Sequence, residues 1–191
     1  MPLSLRLSYG AWLLAGRARL LVGLHESALR HFDAMVRRFP QARHALASRA
    51  HLHALTGRCE LAVADYRALL AADPGDSAAW FNLGFLHWQQ GRAEAALDAF
   101  VRATDIDPAL DRAWYGLGQV LSALGRQDEA AVALARNTAL QPMSPHGWAA
   151  LVRVHVARQR PDEAARIIGH LQAFEPLVAA ALQRETGVAP A

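Results

Sequence analysis

The sequence predicts an all-helical chain built from five copies of one helical hairpin, and three observations carry that prediction. Landmark residues recur every 34 positions: Gly23, Gly57, Gly91 and Gly125; Ala28, Ala62, Ala96, Ala130 and Ala164; Pro40, Pro74, Pro108, Pro142 and Pro176. A fixed period of this size marks stacked supersecondary units. Within a period the large and small residues return at helical spacing. Between Ser77 and Leu110, Trp80, Leu83 and Gly84 share one face of a first helix, and Ala96, Phe100 and Ala103 share one face of a second. Residues that interrupt helices separate those faces: Gly91 permits the backbone reversal after the first, and Pro108 cannot continue the second.

The units run 9–42, 43–76, 77–110, 111–144 and 145–178. The first opens on Trp12, turns at Gly23, supplies Phe32 as the bulky side chain of its second helix and ends at Pro40. Residues 1–8 are either the first turn of that helix or an ordered leader. The opening stretch has the look of a signal peptide, but its apolar run from Leu7 to Gly16 is only 10 residues between Arg6 and Arg17 and no small-residue cleavage site follows. It is also too short to span a membrane, and the repeat register runs through it, so it is assigned to the folded domain. In the second unit Leu46 stands in for the tryptophan, Arg49 interrupts the apolar face, Tyr66 is the bulky residue and Asp76 is placed to cap the next helix. The fourth unit begins with Asp111 as an expected cap, carries Trp114 and Leu134, and has Asn137 where a small residue is usual. In the fifth, Ser144 and Pro145 suit a cap and a first helical turn, Trp148 and Ile168 supply the bulk, Gln159 replaces the turn glycine and Leu171 a small residue. After Pro176, the stretch Leu177 to Glu185 can form one short capping helix, and Thr186 to Ala191 is expected as a loose tail.

Composition narrows the function. Hydrophobic residues make up 53% of the chain, ample for a core, which confines disorder to the ends. All 20 basic residues are arginine, and they are unevenly opposed: residues 1–70 hold 10 Arg against 4 acidic residues, a net +6, while residues 71–191 hold 10 against 13, a net −3. Acidic residues are interspersed and no basic run exceeds Arg37–Arg38, which speaks against a nucleic-acid surface. Cys59 is the single cysteine, which excludes an intrachain disulfide and a multi-cysteine metal site and fits a reducing, cytoplasmic compartment. Of the nine histidines, His51 and His53 point about 200° apart on a helix, and His44 and His51 lie two turns apart, so they read as ordinary helix residues rather than metal ligands. No serine elbow, phosphate loop, dinucleotide glycine motif or HExxH is present. The chain is therefore read as a non-enzyme with no cofactor, metal or small-molecule substrate.

The unit from Ser77, with Trp80, Leu83, Gly84, His87 in a tyrosine place, Ala96, Phe100 and Pro108, resembles the tetratricopeptide repeat family, whose unit reads W-x2-L-G-x2-Y, A-x3-F and P over 34 residues. The resemblance covers about 170 of the 191 residues. It implies a right-handed superhelical solenoid in which first helices line a concave face and second helices cover the outside. Phe81, Phe85 and Trp88 share a helix face roughly 100° round from the core-facing residues. The resemblance places that face on the concavity, with Tyr115 and Gln119 on one side and His51 on the other. The bland alternative is that the same aromatics pack between neighbouring first helices or against a core wider than the consensus. Asn82, Gln89 and Arg112 are polar residues at inner offsets. Some co-chaperones of the family hold a carboxy-terminal carboxylate there; Asn82 matches one of their five contacts and Arg112 can stand for another, but Ala47, His51 and Gly116 replace the rest. That argues against a chaperone-tail clamp and keeps Asn82 and Arg112 as peptide contacts. The implied function is a scaffold or adaptor that binds an extended or helical segment of another protein in the concave groove. An assembly or secretion chaperone for a client protein is the alternative, with nucleic-acid binding a third, distinguished by a steep salt dependence.

Overall fold

A computed structural model describes residues 3–40 and 42–191, with side chains from residue 9 onward. Among the described residues there are eleven α-helices and no strand: α1 Leu3–Leu21, α2 His25–Arg38, α3 Arg43–Leu55, α4 Cys59–Ala72, α5 Ser77–Gln89, α6 Ala93–Ile106, α7 Asp111–Ala123, α8 Gln127–Leu140, α9 Pro145–Ala157, α10 Pro161–Gln172 and α11 Pro176–Thr186. The ten helices α1–α10 form five consecutive pairs and α11 follows them, in keeping with five repeats and a terminal helix. Helix α1 takes in residues 3–8; residues 1 and 2, the start of the expected leader, lie outside the described residues.

The short turn within each pair explains one landmark. Gly23, Gly57, Gly91 and Gly125 all have φ between 71° and 77°, the left-handed region in which a side chain is strained. Gln159 takes the same place in the fifth pair with φ 58°, so the turn is kept there without its glycine.

The chain forms two compact units, one ending at Leu86 and one running His87–Ala191. In the first, Ala28, Leu29, Phe32 and Met35 of α2 pack with Ala45 and Leu52 of α3, and Tyr9, Leu13 and Leu20 of α1 close over them. Gly16 makes that closure possible, because a Cβ there would lie 2.6 Å from Phe32 Cζ. A second cluster joins α3, α4 and α5 through Leu46, Tyr66, Leu69, Leu83 and Leu86. Burial of each such large side chain stabilises by about 1.5–3 kcal/mol, so these residues carry the fold more than helix propensity does. Arg49, anomalous in the apolar pattern, is answered by Asp65 on α4. Its Nε donates to Asp65 Oδ2 at 2.8 Å and its Nη1 to Asp33 Oδ1 on α2 at 3.2 Å. Two departures from the pattern, an Arg for a leucine and an Asp in a buried place, thus compensate each other.

In the second unit, Gly116 and Gly118 admit the Phe100 ring and the Leu134 side chain, with Cβ positions 2.7 and 2.5 Å from them. Asn137 is buried and its Nδ2 donates to the Asp111 carbonyl at 2.9 Å. Its Oδ1 fills the space that a Cβ at residue 147 would need, 2.1 Å away, which is why that position is glycine where earlier repeats have Ala45, Ala79 and Ala113. Ala149, Val152, Ala164, Ile168 and Leu171 meet Ala179 and Leu182 of α11, so the terminal helix buries an apolar surface of the fifth pair.

Three local readings are corrected or refined. Asp76 does cap α5, its Oδ1 accepting from Ala79 N at 2.9 Å. Asp111 is instead the first residue of α7 after an uncapped Leu110, and Ser144 sits at the cap of α9, ahead of Pro145, without a side-chain bond. The tail expected to be loose lies along α10: Val188 joins the apolar cluster, Ala191 N donates to Ala165 O at 3.2 Å, and Gly169 leaves room for the Ala191 backbone. The recurrence of tryptophan and proline also gains a cause. Trp80, Trp114 and Trp148 each donate Nε1 to the carbonyl of the proline six residues earlier, Pro74, Pro108 and Pro142, at 2.8–3.0 Å. Each bond pins the start of a first helix to the end of the preceding second helix.

Candidate partner-binding site

Helix α5 separates its apolar residues into two sets. Ala79, Leu83 and Leu86 are buried in the core of the first unit. Phe81 and Phe85, one turn apart, stack with ring centroids 6.4 Å apart and 21° between planes, and Phe85 remains 46% exposed. Asn82 on the same helix is half-buried, and His51, near the end of α3, is exposed. Buried His53 lies two residues from exposed His51, as the helical angle requires, and the pair cannot share a ligand.

At the start of the second unit Trp88 is half-buried and Gln89 is exposed. Arg112 stands exposed in the first turn of α7. One turn on, Gln119 Nε2 donates to the Tyr115 hydroxyl at 2.7 Å, so these two expected contact residues hold each other in place. Arg153 of α9 makes a two-pronged pair with Glu185 of α11, Nε to Oε1 at 2.7 Å and Nη2 to Oε2 at 2.9 Å. That hydrogen bonding raises the Arg153 pKa and lowers that of Glu185, and the Tyr115 phenol also bears on the Arg153 charge. Glu185 thus brings an acid to Arg153 from the terminal helix, a residue 32 positions away that no repeat register could flag.

Two further features lie within the first unit. An open cleft of about 640 Å³ is lined by Tyr9, Arg38, Phe39, Pro40 and Ala42, with Arg43 tied at its side to Asp73 and Asp76. A second cleft of about 550 Å³ is lined by Asp33, Arg49, His53, Arg58 and Asp65 together with apolar Leu29, Leu61 and Ala64. Burial lowers the His53 pKa, against the opposing effect of Asp65 at 3.9 Å, and His53 Nδ1 has no hydrogen-bond partner. Among the described residues no group of three His, Cys, Asp or Glu side chains converges to hold a metal ion. Among them, too, no helix is long and apolar enough to cross a membrane.

A family model described as tetratricopeptide repeat matches residues 13–76 and 48–111, and a second of the same description matches residues 87–151. No curated protein is significantly similar to the chain in sequence. Among solved structures, MamA from Desulfovibrio magneticus RS-1, from its residue 41 onward, is similar with a TM-score of 0.81 at 20% identity, covering 88% of this chain and 96% of that one. YrrB, described as a tetratricopeptide repeat protein with an unusual peptide-binding site, has a TM-score of 0.78 at 16% identity over 91% of this chain and 90% of its own. PilF of Pseudomonas aeruginosa has 0.70 at 21% identity over 93% and 89%. At these identities the likeness is one of fold.

Proposed function

Because the chain belongs to the tetratricopeptide repeat family, we propose that it is a protein-interaction scaffold that holds an extended or helical segment of a partner protein. The observation that carries this reading is the aromatic pair on α5. Phe81 and Phe85 are surplus to the core that Ala79, Leu83 and Leu86 already make, yet Phe85 stays nearly half exposed. Rigid rings offered at a surface bury a large area in a partner with little loss of rotamer entropy, which makes them good anchors. Asn82 and His51 offer polar contacts on the same unit. On the second unit, Trp88 and Gln89, together with Arg112, Tyr115 and Gln119, are proposed as further contacts, the amide and phenol for peptide backbone and the guanidinium for a carboxylate. The peptide-binding description of YrrB supports a protein segment as ligand. The lone Cys59 fits a cytoplasmic setting.

The test begins with a segment selected by peptide display against the intact chain, whose affinity is then measured by calorimetry. Phe85→Ala should weaken it by about 2 kcal/mol, roughly thirtyfold, while leaving the melting temperature nearly unchanged. Arg112→Glu should weaken only segments that carry an acid or a free carboxy terminus. A stability loss of about 3–5 kcal/mol in Phe85→Ala would place that ring in the core and remove it from the site. A stable adaptor releases its partner slowly, whereas an assembly chaperone exchanges its client fast, and the time course of the same titration separates the two.

A further inference from the structure

The exposed side of α1 and the turn after it are more apolar than most of their counterparts in the later repeats. Leu14 and Leu21 of α1 are 69% and 88% exposed, and Val22 and Leu24, in the turn that follows, are 70% and 55% exposed. At the same positions of the later repeats, Leu14 corresponds to Ser48, Asn82, Gly116 and Ala150, and Val22 to Thr56, Gln90, Leu124 and Arg158. Leu24 corresponds to arginine in all four, Arg58, Arg92, Arg126 and Arg160. Core packing does not explain the exchange, because Tyr9, Leu13 and Leu20 already make the inward contacts of α1.

Charge accompanies the stripe. The first 25 residues contain three arginines and no acidic residue. Leu14, Arg17 and Leu21 fall within about 60° of one another around the helix, so one cation sits in the stripe itself. Arg17 is exposed, whereas Arg19 is turned along the helix, donating to the Ala15 carbonyl at 2.7 Å. The nearest acid in sequence, Glu26, is paired with Arg58 at 2.8 Å.

We propose that α1 and the turn after it form a docking face for an anionic phospholipid surface, with Leu14, Leu21, Val22 and Leu24 entering the interface and Arg17 reaching the headgroups. A helix with exposed leucines on one side, arginine among them and no acid nearby suits the bilayer boundary. The stripe is a ridge, spaced by exposed Ala11 and Ala18, which a fluid bilayer accepts without a shaped groove. Pairing of two copies through this face would bring together two segments that carry arginine and no acid. No helix among the described residues crosses a membrane, so the contact is peripheral. Leu14, Arg17 and Leu21 stand at the repeat positions of Asn82, Phe85 and Gln89, but on α1, which the partner-segment reading does not use.

The test is flotation of the intact chain with vesicles of phosphatidylcholine alone and with about a quarter phosphatidylglycerol, near the anionic content that gives cytoplasmic leaflets their negative potential. Binding to the anionic vesicles should be at least about tenfold stronger and should weaken in high salt. Arg17→Gln should lower it about fivefold, the loss of one surface-attracted charge. Leu14→Glu with Leu21→Glu should remove binding by at least about tenfold, while Val132→Glu, at an equally exposed apolar residue of α8, should leave it unchanged. The double variant is checked for an intact helical spectrum and melt, so that lost binding is not lost folding. Absence of binding to the anionic vesicles, or equal binding by the Leu14→Glu, Leu21→Glu variant, overturns the proposal. If vesicles are ignored and the same two substitutions dissociate an oligomer seen by light scattering, the stripe belongs to a second copy and the lipid proposal fails.

Discussion

Gly147→Ala should destabilise the chain even though alanine is the better helix former by about 1 kcal/mol. A Cβ at residue 147 would lie 2.1 Å from Asn137 Oδ1, 3.3 Å from Asn137 Cγ and 3.2 Å from Thr138 Cγ2. Asn137 and Thr138 are both buried, so neither can swing into solvent. To make room Asn137 has to rotate, which breaks the 2.9 Å bond from its Nδ2 to the Asp111 carbonyl. An amide left unpaired in a buried site costs about 1–3 kcal/mol, and the overpacking itself costs about 1–3 kcal/mol. After the helix-propensity gain the net loss should be about 2 kcal/mol, or about 4–8 °C of melting temperature in a chain of this size. Urea unfolding followed by circular dichroism measures it. The companion variant, Asn137→Ala with Gly147→Ala, recreates the pair that the chain already carries one repeat earlier as buried Ala103 and Ala113. It should recover most of the loss, with a coupling energy of about 1–3 kcal/mol between the two sites. If Gly147→Ala melts at or above the parent, or if the double variant equals the sum of the singles, Asn137 is not what keeps residue 147 a glycine.

Four other outcomes are expected. Gln159→Gly relieves a side chain held at φ 58° and should raise stability by about 1 kcal/mol in the same assay; an unchanged melt would mean that the turn relaxes at no cost. Arg49→Leu alone strands the buried Asp65 and should cost about 3 kcal/mol, whereas Arg49→Leu with Asp65→Ala, which restores the apolar pattern, should return near to the parent. Burial lowers the pKa of His53 and of His155 below 6.5, so the unfolded chain takes up protons that the folded chain resists. Stability should be complete above about pH 6.5 and fall as pH drops below it, and His53→Leu, matching Leu121 at the same repeat position, should flatten part of that slope in melts taken between pH 5 and 7. Deleting residues 177–191 removes Ala179 and Leu182 from the last apolar cluster and Glu185 from Arg153, and should lower the melting temperature and solubility; a truncated chain that behaves like the intact one would show that α11 is not a cap.

Much of this protein is legible in its sequence because a repeat writes the same packing instruction five times. Gly91 with its three counterparts, Ala96 with its four and Pro108 with its four each answer a requirement set within one hairpin: a left-handed turn, a close helix approach, a helix end. Such requirements are local, so the residue type alone reveals them. The surplus aromatics Phe81 and Phe85 were visible for the same reason, since a helical angle separates them from Leu83. What only the tertiary structure decided is how the departures from the pattern are absorbed. Arg49 finds Asp65 at 16 residues, Asn137 fills the space vacated at Gly147, and Glu185 reaches Arg153 across 32 residues. The tail turns back onto α10 because Gly169 leaves the Ala191 backbone room to approach. Each of these is an agreement between two non-periodic residues on different elements. A sequence shows that both are unusual, but their pairing exists only once the helices have brought the two side chains within hydrogen-bond or van der Waals reach.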